Sequence, residues 1–207
     1  MARIIQVDPD EPKIDDAAEV IRRGGIIAYP TDTLYGLGAS IQCEEALKRV
    51  YEIKGRDPTK PLLMLIPDVG SLRPLVKGIS DVARRLMDTF WPGPLTLVFE
   101  ASESVPKVCL GGGRTIGIRL PKSSIVLALL EKVQAPLTAP SANLSGSPEP
   151  TSAQQVAENI GDRVDLIVDG GPCTDDQPST LVDVSGPKAY LLREGRISYE
   201  TLEPFIS

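Results

Sequence analysis

Short, solidly apolar runs alternate with helical segments along the 207 residues, and that alternation is the strongest restriction on the fold. The apolar runs include Ile26–Tyr29, "PLLMLI", "LTLVFE", "IGIRLP", "APLTAP" and "RVDLIVDGG". A strand that is apolar at successive positions has both faces covered, which is the condition inside an α/β sheet. Between these runs lie "IDDAAEVIRRGG", "EEALKRVYEIKG", "SDVARRLMDTFW", "SSIVLALLEKV" and "SAQQVAENIG", which read as helices. Gly24 and Gly55 mark the ends of the first two, and Ser80 and Ser152 are candidate N-caps. Arg3–Val7, "STLVDVS" and "AYLLREG" read as further strands, and the tail "SYETLEPFIS" as a short helix. Hairpin-like connections near residues 95–120 and 180–193 make the expected sheet mixed. Without a repeat, a low-complexity stretch or a linker, residues 1–207 are expected to form a single domain.

The residues that are missing narrow the chemistry. There is no histidine, which removes the commonest general base and every Ser-His or Cys-His pair. Cys43, Cys109 and Cys173 are odd in number, far apart and without a CxxC, so neither a disulfide framework nor a Cys/His zinc site is expected. Any chemistry must come from Lys, Arg, Asp, hydroxyls, backbone amides or a carboxylate-bound metal. A net charge of −6 argues against non-specific coating of nucleic acid, although Lys48, Arg49, Lys54, Arg56 and Lys60 cluster. No apolar run reaches about 18 residues, so no membrane span is expected. The start, "MARIIQVDPDEPKIDD", lacks a basic stretch followed by an apolar one, and a cytoplasmic location is expected.

Several polar packets follow the apolar runs. "YPTDTLYGLG" ends the strand Ile26–Tyr29 in hydroxyls, Asp32 and glycines, and reads as a polar loop. "GRDPTKP" resembles a Walker A loop only at its start, with Pro61 where Ser or Thr belongs. "GGGRTIG" precedes a strand instead of opening a helix, so it is no dinucleotide fingerprint. Lys54-Gly55-Arg56 fits an ordinary helix end, with Lys54 complementing the helix dipole, Gly55 the stop and Arg56 solvated. It also fits, with Lys60 and the stiffening prolines 58 and 61, a loop that presents cations to a multiply charged anion. "TAPSANLSG" is either a turn or a ligand-facing packet at a strand end. Arg119 and Arg193 each close an apolar strand, and Ser179-Thr180 opens one; each is an edge group or part of a shared pocket.

In this order, "PTDTLYGLG", "KGR" with "KPL", "TIGIRLP", "APSANLSG", "STLVDV" and "LLREG" resemble the YrdC/TsaC family, the threonylcarbamoyl-AMP synthases of tRNA modification. The likeness runs from about Ala18 to Gly195. It implies a twisted, dsRBD-like α/β fold with a basic concave pocket, in the single-domain form of the family. The implied reaction converts L-threonine, bicarbonate and ATP into threonylcarbamoyl-AMP and pyrophosphate, with Mg2+ accompanying ATP and no metal held by protein side chains. A downstream threonylcarbamoyl-transferase complex then modifies N6 of adenosine 37 in tRNA, so contact with tRNA itself is indirect. The family's Lys-x-Arg and Ser-x-Asn sets fall on Lys54, Arg56, Ser141 and Asn143, implied to be catalytic. Arg56, Lys60, Thr115, Ser141, Asn143 and Arg193 are implied around ATP. Thr33, Arg119, Thr138, Ala139 and Ser179 are implied around threonine, Arg119 pairing with its carboxylate. Glu149 falls near the nucleotide edge, and Asp32 either orients the amine or caps a turn. A non-catalytic RNA- or ribosome-binding module is the alternative. The carbamoyl-adenylate activity of hydrogenase maturation proteins ranks last.

Overall fold

The computed structural model describes residues 2–173 and 177–206; Ser207, at the end of the tail read as a helix, lies outside them. The first third contains β1 (Arg3–Gln6), α1 (Asp15–Arg22), β2 (Ile27–Pro30), β3 (Tyr35–Gly38), α2 (Glu44–Lys54) and β4 (Leu63–Leu65). Then come α3 (Asp81–Phe90), β5 (Leu95–Glu100), β6 (Thr115–Arg119), α4 (Ser124–Val133) and β7 (Leu137–Thr138). The last third contains α5 (Ala153–Ile160), β8 (Leu166–Asp169), β9 (Thr180–Asp183), β10 (Tyr190–Arg193) and α6 (Tyr199–Ile206). Single 3-10 segments at Gly70–Leu75 and Lys107–Leu110 complete the described elements. Ser80 and Ser152 cap α3 and α5 through their hydroxyls, and Gly55 ends α2 in the left-handed region at φ 55°. Among the described residues no helix is long and apolar enough to cross a membrane.

The strands are mixed, as expected, but they form two sheets instead of one. One runs β1-β8-β2-β3 and the other β10-β9-β5-β6-β4-β7. The difference arises at "DTLYGLG", read as loop: Tyr35–Gly38 turns back antiparallel on β2, Ile27 opposite Gly38 and Pro30 opposite Tyr35. Backbone bridges from Gly36 to Ser141 and from Ser40 to Leu137 then join β3 to the β7 region of the second sheet. Side-chain alternation sorts the core. Ile27, Tyr29, Leu166 and Val168 face α1 and α4 (Ala18, Ile21, Val126, Leu129), while Ala28, Tyr35, Leu37 and Ile167 pack into the larger cluster that includes α2 and α3.

The hairpin glycine Gly38 is required by packing. A Cβ there would lie 2.4 Å from the Tyr29 ring, which is fully buried and tethered by its hydroxyl to the Thr138 carbonyl at 2.7 Å. Gly38→Ala is therefore expected to cost about 1–3 kcal/mol, read from the urea midpoint. Gly36→Ala, whose Cβ would meet Tyr29 and Ala139 at 3.5–3.6 Å, is expected to cost much less. Equal losses for the two would refute the ring-clash explanation.

Candidate functional site

A pocket of about 360 Å³ lies on the second sheet where the β2–β3 hairpin bends over it. Its floor is one face of that sheet. Leu63, Gly117 and Val98 sit side by side in a cross-strand row, with Leu181 on β9 and Arg193 on β10 beyond them. The walls come from the hairpin (Thr31 and Thr33 to Gly36), the segment after α2 (Arg56 and Lys60 to Leu62), Ala139 to Ser141 after β7, and Pro178 and Ser179 before β9. Four cationic residues, Arg56, Lys60, Arg119 and Arg193, line it against one carboxylate, Glu149.

Arg119 forms the buried end. It follows Gly117 by two on β6, so both face the pocket. Its Nε donates to the Gly93 carbonyl and one terminal nitrogen to the Thr33 hydroxyl, each at 2.9 Å. The other terminal nitrogen lies 2.7 Å from a carboxylate oxygen of Asp32, yet neither atom makes an aligned hydrogen bond. The ion pair is close in space and poorly directed, so this buried nitrogen keeps capacity for another acceptor. Thr33 is presented by a local turn in which the Thr31 hydroxyl accepts from the amides of Thr33 and Leu34 and donates to the Leu34 carbonyl. Asp32 thus acts on Arg119 instead of capping that turn. Ser179 is buried, its hydroxyl 2.8 Å from that of Thr96.

The opposite side is a cationic wall. Arg56 donates to the Pro61 carbonyl at 3.1 Å, while its Nε is buried without a hydrogen-bond partner. Burial lowers the Arg56 pKa. Burial also lowers that of Arg193; Glu149 opposes this shift, and Arg119 and Arg56 add to it. An Arg193 whose proton is held less tightly because two guanidiniums lie nearby marks a site that favours an anion. Lys54 does not belong to this wall. It is 3% exposed, and its ammonium donates to the carbonyls of Ser141 and Asn143, the latter at 2.8 Å, and to Asn143 Oδ1 at 3.0 Å. Lys54 does end α2, as the helix-end reading has it, but its side chain is a buried strut under the Ser141–Asn143 loop. Burial, aided by Arg56, pushes its pKa down to about 8.

The structure brings Thr33, Arg56, Lys60, Arg119, Ala139, Ser141, Ser179 and Arg193 together around one cavity, with Glu149 at its edge. Lys54, Thr115, Thr138 and Asn143 lie outside its wall. Thr138 is fully committed to the fold: its hydroxyl bridges the Ala39 amide and Leu37 carbonyl, and its own carbonyl accepts from Tyr29. Asn143 binds Lys54 and donates to the Ser147 carbonyl at 2.6 Å. Thr115 stands at the far end of β6, opposite Glu100. The floor residues Leu63, Gly117, Val98 and Leu181 escaped the sequence reading because they look like ordinary strand residues. The available signal was parity: Gly117 shares a strand face with Arg119.

The Sua5/YciO/YrdC family model, described as "Telomere recombination", matches residues 19–195. The threonylcarbamoyl-AMP synthase of Pyrococcus abyssi is 44% identical over 197 residues, which is 95% of this chain and 58% of that protein. The threonylcarbamoyl-AMP synthase of Bacillus subtilis is 39% identical over 203 residues, 97% of this chain and 58% of that one. The crystal structure of P. abyssi Sua5 complexed with L-threonine superposes with a TM-score of 0.93 at 43% identity, covering 99% of this chain and 61% of that chain. The chain thus spans somewhat more than half the length of these relatives.

Proposed function

The chain belongs to the Sua5/YciO/YrdC family, and from that premise we propose that it makes threonylcarbamoyl-AMP and pyrophosphate from L-threonine, bicarbonate and ATP. One observation carries the reading: a buried guanidinium with a hydroxyl beside it faces a cationic wall across one apolar floor. Arg119 and Thr33 suit an amino acid's carboxylate, and Arg56, Lys60 and Arg193 suit phosphates. The threonine ammonium and bicarbonate give the carbamate, water and a proton. A carbamate oxygen then attacks the α-phosphorus, and pyrophosphate leaves. No protein nucleophile enters. Burial pushes the Cys109 thiol up to about 12 and the Cys173 thiol to about 11, far from thiolate chemistry. The protein's task is to hold two anions together and stabilise the charge of the leaving pyrophosphate. Lys54 acts beneath the site, through the loop that carries Ser141.

Mg2+ enters this proposal with ATP. Among the described residues no three His, Cys, Asp or Glu converge, and Glu149 is the only acidic side chain described on the pocket wall. That donor set fits an ion carried by phosphate oxygens and water, where it offsets phosphate charge. A threonylcarbamoyl-transferase complex downstream, indirect contact with tRNA and a cytoplasmic setting complete the proposal. Mass detection of threonylcarbamoyl-AMP after incubation with the three substrates tests it. Omitting any one should abolish the product, and Arg56→Ala should lower the rate roughly 10²- to 10³-fold in a folded protein. Salt-dependent tRNA binding without adenylate formation, or equal use of serine and threonine, would overturn it.

A further inference from the structure

We infer that Gly117 sets the size of the amino acid that the pocket accepts, and is a specificity-determining residue; this rests on the reaction proposed above. Glycine inside a strand is unfavourable by roughly 0.5–1 kcal/mol relative to alanine, and pleated surfaces favour branched side chains. The fold gives no reason for glycine here. Gly117 is not among the glycines with positive φ. A Cβ built on it would meet Thr96 Cγ2 at 3.4 Å, and Leu63 Cγ and Val98 Cγ2 at 4.0 Å, all ordinary contacts. Gly38 is the contrast, since there the added carbon would collide with a buried ring. What Gly117 borders instead is the cavity, where it forms a trough one side chain deep between Leu63 and Val98.

The position of the trough defines its occupant. Residues two apart on a strand share a face and lie about 6.6 Å apart. An amino acid whose carboxylate takes the free capacity of Arg119 therefore lays its Cα and side chain over Gly117. The floor there is apolar, with the hydroxyls of Thr33 and Ser179 at its margin. That lining fits a β-carbon bearing one methyl and one hydroxyl. An alanine at 117 would fill the volume that the substrate methyl needs, while a substrate without the methyl would still be admitted. One methyl in an apolar subsite is worth about 10- to 200-fold in selectivity.

The test compares threonine with serine in Gly117→Ala, by threonine- or serine-dependent pyrophosphate release and by calorimetric binding of each amino acid alone. The ratio of kcat/KM for threonine to that for serine should fall by roughly tenfold or more, with KM for ATP unchanged. Val98→Ile, which fills the trough from the neighbouring strand, should move the ratio in the same direction and guards against a folding defect in the first variant. Equal weakening of both amino acids, or an unchanged ratio in both variants, would overturn the inference. If the unsubstituted protein releases no pyrophosphate with threonine, the proposed reaction fails, and the binding ratio still decides the role of Gly117.

Discussion

Arg119→Ala is expected to lower kcat/KM for threonine roughly 10²- to 10³-fold and to destabilise the fold by about 3 kcal/mol. Both effects follow from its environment. Arg119 is 4% exposed and ties together Gly93 on the β5 approach, Thr33 on the hairpin and Asp32 beside it. Its removal leaves the largely buried Asp32 carboxylate without compensation, orphans the Gly93 carbonyl, and leaves the Thr33 hydroxyl with only the Thr31 hydroxyl at 3.0 Å. The Arg119→Ala/Asp32→Ala double variant separates the two consequences. It should recover much of the stability, because the unpaired carboxylate is gone, and none of the threonine-dependent activity. Denaturant midpoints and pyrophosphate release measure the two. Recovery of activity in the double variant would mean that Arg119 serves only to neutralise Asp32. Arg119→Lys should also fail, because one ammonium cannot reproduce the guanidinium fork across Gly93 and Thr33.

The second large effect is expected at Lys54. Lys54→Met keeps the apolar stem but leaves the Asn143 carbonyl and side-chain oxygen without the ammonium, and the Ser141 carbonyl with only the Asn143 amide. The reaction should slow about 10²-fold or more, since the Ser141 wall is no longer fixed. Stability should fall by about 1–3 kcal/mol at pH 7. pH adds a sharper test. The folded pKa of about 8 lies below the ordinary lysine value of 10.5, so the folded state binds fewer protons between those limits. Burying the ammonium costs stability in full below about pH 8, and that cost is relieved as pH rises toward 10.5. The neutral amine has one fewer N–H for its three oxygens, so activity should move the other way. Wild-type protein should gain stability relative to Lys54→Met over this window while its turnover declines. A stability difference that stays flat with pH would contradict the buried, perturbed amine.

Much of this was legible in the sequence because its signals are local. Apolar runs, Ser80 and Ser152 as caps, and Gly55 as a stop specify elements through short-range rules, and the structure contains them. The packets at strand ends converge because an α/β sheet gathers its loops on one edge. What was hidden depends on pairing across long separations. "DTLYGLG" reads as a loop from its glycines and polar residues, yet its second half, Tyr35–Gly38, is a strand because it finds β2. Lys54 occupies the last turn of α2, where one-dimensional reasoning sends lysines to solvent. Only the placement of Ser141 and Asn143, some 87–89 residues later, draws it inward. The contact between Asp32 and Arg119 likewise joins the β2–β3 turn to the end of β6 in the other sheet, a proximity that no local pattern specifies.

The short strand Tyr35–Gly38 carries a consequence for how such a protein can change. Tyr35 donates its backbone N–H to the Pro150 carbonyl and accepts one from the Ala142 amide, and Leu37 donates to the Pro140 carbonyl. The same few residues also extend the hairpin that presents Thr33. One seam therefore sets the positions of both halves of the pocket. A chimera that exchanged only the hairpin, or only the segment around Ser141, would import a mismatch in registration along with its new side chains. The two segments form one heritable unit, to be transplanted together or not at all.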